Sequence, residues 1–356
     1  MRTQLLTASL ISTLSTICLA SSEPKEIAVA ATRNGWDLVA IADDGTLRVS
    51  DGAGTVQALP FLDATAGAHR SWPVAASDGA SVFVAWVEGG AGGSRIMSAT
   101  FAASGVPRTL QVSGNTARWA RFPSIAVSPD GVPWVAWVDG SMGDDNIVVS
   151  RFEGGVFTRP ERVSAPDATE DLVPQIAFDL TGTPVVVWSG RVGEALDDVL
   201  WSRRDGQMWS PEARLHAENQ VPDVTPALGR DGTGNLWVAW SSLEDKTAYQ
   251  VFAARLDGKA WLPTVRVSQG TGAATLPRIV GAEDGVVVLW NQNDGAASAA
   301  EARLLDGHGA VKEIAFPSRA EIGRSSRPVA FYREHALSLV SADGAAVSTV
   351  VAKIGR

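Results

Sequence analysis

"PSIAVSPDGVPWVAW", running from Pro123 to Trp137, decides the fold because it recurs. Its Val-rich second half ends in tryptophan, and the same ending closes "SVFVAW" at Trp86, "TPVVVW" at Trp188, "NLWVAW" at Trp240 and "GVVVLW" at Trp290. The intervals from Trp86 onward are 51, 51, 52 and 50 residues. The leading proline has counterparts at Pro73, Pro174, Pro226 and Pro277, and the series extends to Pro328 and back to Pro24. Two anchors in phase define seven units with a period of about 51 residues.

Each unit reads as four short strands, A to D. In the third, Ile125–Ser128 is strand A, Pro129-Asp130-Gly131 the turn, and Val132–Trp137 strand B. A polar loop then leads to strand C, Asn146–Phe152; Glu153-Gly154-Gly155 turns into strand D, ending near Val163. Gly accepts positive φ and Asp bonds its own backbone, so these residues punctuate the strands. One such sheet cannot bury both faces alone, and radial stacking at this period is a β-propeller. The prediction is an all-β chain with residues 21–356 as one propeller of seven four-stranded antiparallel blades, six being the alternative. Its recurrent tryptophans fill the space between blades. The last unit shows only strands A to C (Pro328 to about Ile354), and no spare N-terminal strand is expected to complete it.

Residues 1–20 read as a secretory signal peptide. Arg2 gives a basic start, Leu5 to Leu19 is an uncharged apolar run, and Cys18 and Ala20 supply small residues at a cleavage site. Cys18 is the sole cysteine, but Ile17 and Ser15 do not fit a lipoprotein signal. Export without disulfides suits a bacterial periplasm or the extracellular medium. The net charge of −9, or −10 without Arg2, argues against nucleic acid and against an anionic membrane surface. No later apolar stretch is long enough to span a bilayer. A monomer is expected.

The pattern Pro-x-Ile-Ala, Asp-Gly, then a strand ending in Trp resembles the secreted sialidase-like propellers of bacteria. "SRRDGQMW" (Ser202 to Trp209) looks like a worn Asp-box, the BNR-repeat hairpin Ser-x-Asp-x-Gly-x-x-Trp of that superfamily, with Arg204 where the acid belongs. "SRFEGGVF" (Ser150 to Phe157) and "ARLDGKAW" (ending at Trp261) are similar to it with fewer matches. The resemblance implies architecture. Sialidases themselves have six blades.

In an antiparallel meander the A–B and C–D turns share one face, while the B–C and D–A connections share the other. The second face carries the longer connections, and binding residues concentrate on long loops over a rigid scaffold. Arg70, Arg118, Arg121, Arg324 and Arg327 fall on connections leading into units two, three and seven, with Trp72, Trp119 and Phe122 among them. Opposite them come Asp167, Glu170, Asp171, Glu218 and Asp223. Guanidinium binds carboxylate bidentately and flat rings stack on apolar surface, so Arg70, Trp72, Arg118, Trp119, Arg121, Arg324 and Arg327 form the candidate ligand site, for a glycan or an extracellular protein.

The alternative is a sialidase-like glycoside hydrolase acting on acidic sugars. By that resemblance Arg121-Phe122-Pro123 matches an Arg-Ile-Pro motif, Asp144 and Asp145 stand where the acid would be, and Arg278 and Arg324 could complete an arginine clamp. The nucleophile does not fit: of the two tyrosines, Tyr332 falls on the other face and Tyr249 has no evident Glu partner. His69, His216, His308 and His335 show no ligand spacing, so no metal site is expected. Only Asp144-Asp145-Asn146 offers a possible structural calcium ligand set. No phosphate loop or nucleophile elbow appears, and no cofactor is expected. A non-catalytic binding propeller is the leading expectation.

Overall fold

The computed structural model describes residues 17–18, 24–32, 35–42, 46–51, 56–59, 69–90, 92–102, 107–114, 119–141, 143–192, 196–243, 247–317, 327–343 and 346–353. Regular structure in these residues is β-strand throughout, arranged as seven antiparallel sheets. The unit read first shows how the sequence builds them: Ala120–Val127, Pro133–Asp139 and Asn146–Glu153 form strands A to C. Strand D is split into Val156–Phe157 and Glu161–Arg162, both pairing with strand C. Innermost strands touch in succession around the molecule, and Val329–Arg333 of the last unit touches Pro24–Thr32 of the first. The chain is a circular propeller. No helix among the described residues is long and apolar enough to cross a membrane.

Strand B is Val-rich because both of its faces are covered. Pro184–Gly190 is buried at every position, and neighbouring sheets supply the second face. Trp137 packs with Phe83, Val87 and Ile96 of the preceding unit. Trp188 packs likewise with Trp134, Val138 and Ile147. Trp86, Trp137, Trp188, Trp240 and Trp290 are all fully buried, so each tryptophan seals its own blade against the one before it.

Strand A is longer than the sequence indicated and carries a bulge. Register shifts separate Ser71 from Val74, Arg121 from Ser124, Leu172 from Gln175, Val224 from Ala227 and Thr275 from Arg278. At each bulge the residue before the anchor proline has positive φ, between 51° and 56° for Trp72, Phe122, Val173, Thr225 and Leu276. Proline has no N–H to donate, and a bulge removes the need for one. The anchor prolines therefore mark the bulges.

The C–D hairpins keep what remains of the Asp-box. Ser202 Oγ donates to the Ser210 carbonyl at 2.7 Å, Ser150 Oγ to that of Thr158 at 2.7 Å, and Gly206 turns at φ 62°. Arg204, in the acid's place, lies over the Trp134 and Trp209 rings and pairs with Glu161. The seventh sheet differs from expectation at its rim. Ala346–Lys353 is its third strand, and Ile17–Cys18 pairs with Val347 and Ala346 as a short fourth.

Candidate functional site on the long-connection face

The bulges decide what the first candidate cluster can do, because they turn the residue before each anchor proline away from the ladder. Trp72 stands 52% exposed with its ring edge-on to Phe122, centroids 4.9 Å apart. Trp119 is 59% exposed and bridges to Ser94 of the neighbouring blade. Two indoles on adjoining blades are thus each about half exposed. The arginines behave differently. Arg70 is buried, and its Nε donates to Glu88 Oε2 at 3.1 Å while Arg95 takes the other carboxylate oxygen. Arg121 is paired with Asp145 and lies over the Phe122 ring at 5.9 Å. Asp144 is 3.9 Å from Arg162. Both acids proposed for proton transfer thus face guanidinium groups. Arg118 and Arg324 lie outside the described residues.

Arg327 is the exception. It is partly buried beside Arg278, and neither has a carboxylate partner among the described residues. Burial and then the Arg278 charge lower its pKa to about 10. Burial lowers that of Arg278 too. Arg278 shares its strand face with Val280, which packs against unit seven, so both guanidiniums belong to the junction of units six and seven.

A second cluster forms where units four and five meet. In other units a serine closes strand D against the start of strand C: Ser113, Ser164 and Ser268 accept the backbone N–H of Ile96, Ile147 and Val251 at 3.0, 3.1 and 2.8 Å. His216 occupies that position after Leu215, whose N–H keeps the same backbone bond to Val199. The imidazole stacks on Trp240 with centroids 5.4 Å apart and reaches Asp223 Oδ2 with Nε2 at 3.0 Å. Asp198, at the head of strand C, accepts Arg214 Nε at 2.6 Å. One ligand atom each from Asp198, His216 and Asp223 lies within 4.8 Å of the others. The hydrogen bond to Asp223 raises the His216 pKa, and burial raises that of Asp198. Tyr249 is pushed up by burial and by the nearby charges of Asp197 and Asp223.

The neighbouring junction has a serine where this one has His216. Asp171 stands 52 residues before Asp223 and accepts the Trp188 indole N–H at 2.8 Å. Burial pushes its pKa up to about 7, with the Glu212 and Asp167 charges adding to the rise. At the next junction Asp223 turns to His216 instead, and Trp240 Nε1 is left without a partner. Carboxylates with displaced pKa values cluster at functional sites. A signal for this cluster was present in the sequence: His216 falls ten residues before its anchor proline, where Ser113 and Ser164 stand in their units.

No family model matches the chain, and no curated protein matches it. Solved structures do. An ulvan lyase of a polysaccharide lyase family superposes with a TM-score of 0.64 at 11% identity, over 96% of each chain. Streptogramin B lyase gives 0.59 at 10% identity over 96% of this chain and 97% of its own. A Hadza microbial sialidase gives 0.50 at 12% identity over 89% of this chain and 72% of its own. At such identities the likeness is one of fold: the chain shares a propeller architecture that also carries carbohydrate-active enzymes.

Proposed function

We propose that the protein is an exported, non-catalytic propeller that binds an acidic glycan on the face of its B–C and D–A connections. The observation that carries this reading is the pair of half-exposed indoles, Trp72 and Trp119, on adjoining blades. An indole presents a broad apolar face with little rotamer freedom to lose, which suits the apolar side of a pyranose ring. The acidic character rests on Arg278 and Arg327, partly buried cations without carboxylate partners among the described residues. Guanidinium in a poorly solvated setting favours a carboxylate or sulfate. The ulvan lyase above was solved with -[GlcA(1-4)Rha3S]-, an acidic saccharide, which makes this ligand class a reasonable first probe. Binding is preferred to sialidase-type hydrolysis because Arg121, the arginine that chemistry would place on the substrate, is already held by Asp145.

Titration with glucuronate-bearing oligosaccharides and their neutral counterparts tests the reading. The acidic ligands are expected to bind more tightly. Trp119→Ala should weaken binding by about 1–2 kcal/mol with an unchanged melting temperature, since an exposed ring contributes contact rather than core. Equal affinity for neutral and acidic sugars, or an unaltered Trp119→Ala variant, would remove the proposal's basis.

A further inference from the structure

The junction of units four and five holds a constellation that glycan recognition does not use. His216 Nδ1 lies 2.7 Å from the Ala217 carbonyl. A carbonyl oxygen only accepts, so Nδ1 carries the proton in that contact. Nε2 of the neutral ring then presents a lone pair to Asp223 Oδ2 at 3.0 Å. Two acceptors face each other across that distance, which needs a cation between them or a second proton on the ring.

A metal-binding histidine commonly has its other ring nitrogen fixed by a backbone carbonyl, and a ligating carboxylate is itself hydrogen-bonded. Both conditions are met. Ala217 fixes the ring, Arg214 Nε holds Asp198 at 2.6 Å, and Asn219 donates to Asp223 Oδ2 at 2.9 Å. Charge favours a dication too. Arg214 pairs with Asp198 and Glu218, while Asp223 pairs with no lysine or arginine among the described residues.

A second proton on His216 would leave one atom unserved. Asp223 is 0% exposed, and its Oδ1 has no hydrogen-bond partner. An imidazolium engages only Oδ2, which Asn219 already reaches. A metal ion beside the carboxylate would serve Oδ1 as well. The repeat shows that the arrangement is not imposed by the fold. Asp171, the counterpart one unit earlier, is satisfied by the Trp188 indole and neighbours Ser164, the serine that His216 replaces. One unit has replaced that serine with an imidazole, which stands beside two carboxylates.

We propose that Asp198, His216 and Asp223 bind a divalent transition-metal ion, Zn²⁺ foremost, reached from solvent along the partly exposed edge of His216. One nitrogen and two carboxylate oxygens are ligands of the kind zinc accepts. Three protein ligands leave at least one position for water or for a ligand's oxygen.

The experiment uses the purified protein stripped with chelator, dialysed and titrated with ZnCl₂ by calorimetry, with metal content measured after gel filtration. One equivalent of zinc is expected. His216→Ser restores the residue that other units carry, so it should fold, and it should weaken zinc binding by at least about 100-fold. Asp223→Asn should do the same, and Co²⁺ in place of zinc should give a visible ligand-field spectrum that His216→Ser abolishes. Absence of zinc binding in the parent protein would overturn the proposal and leave His216 as an imidazolium paired with Asp223. Zinc bound equally well by His216→Ser would overturn it too, placing the metal elsewhere.

Discussion

Two buried side chains show how much one position can carry. Trp137 has no exposed surface and fills the gap between units two and three. Trp137→Ala should destabilise the protein by about 3–5 kcal/mol, the usual cost of truncating a large buried aromatic. Chemical denaturation followed by fluorescence measures it, and an unchanged midpoint would contradict the packing role. Asp171 makes the opposite argument. Its folded pKa of about 7 lies above the ordinary carboxylate value of 3.8, because the ionised form is buried beside Glu212 and Asp167. The folded state therefore holds a proton that the unfolded chain releases. That contribution is complete below about pH 4 and is lost as pH rises through about 7, where the folded carboxyl ionises. Asp171→Asn keeps an acceptor for Trp188 and cannot ionise. Relative to the parent, the variant should gain of the order of 2–4 kcal/mol at pH 8 and little at pH 4. Parallel melting curves at the two pH values decide it.

A strand holds together through bonds that hydropathy does not display. Strand B was legible because burial on both faces forces a Val-rich run, and its closing tryptophan repeats with the unit. The bulge in strand A was not legible. The anchor proline was visible, but not that the residue before it takes positive φ and turns outward, as Trp72 does. The arginines escaped for a related reason. Sequence placed Arg70 and Arg121 on connections, whereas both lie in strand A, and their acids are distant in sequence: Glu88 lies opposite Arg70 in the ladder, and Asp145, just before strand C, is 24 residues from Arg121. The serine closing strand D was equally silent until the units are superposed. Ser268 shows its worth: fully buried, it accepts the Val251 N–H and donates to Gln250 Oε1, each at 2.8 Å. Ser268→Ala leaves two buried polar groups unpaired and should cost about 1–3 kcal/mol per group. His216→Ser, which returns the same device to its unit, should cost far less. A comparison of the two variants in urea separates a structural serine from a position released for other use.

The circle itself is the last structure to account for. Adjacent sheets bury each other's faces, so the ring is held wherever two units meet, and the junction of first and last units has no covalent continuity to help it. That junction rests on Pro24–Thr32 against Val329–Arg333, while on its other side the last unit packs Leu337, Leu339 and Ala352 onto Leu289 and Ala302 of the sixth. Ile17–Cys18 adds only two residue pairings at the rim of the last strand. Those two residues fall in the segment read from the sequence as a signal peptide, which on the proposed export would be removed, whereas the strands they join do not. Closure should therefore depend on the last strand and hardly on the first. A chain beginning at residue 21 is expected to melt within about 3 °C of one beginning at residue 17, since a difference below 1 kcal/mol moves the midpoint of a large domain by no more than that. Removing residues 346–356 should act far more strongly, because it uncovers Leu337 and Leu339 and leaves strand B of the last unit as an open edge. The expected result is loss of a single cooperative transition, with sheets nearest the gap exchanging their amide protons first. If the shorter N-terminal start proved as damaging as the C-terminal deletion, the rim pairing at Ile17 and Cys18 would have to be counted among the contacts that close the ring.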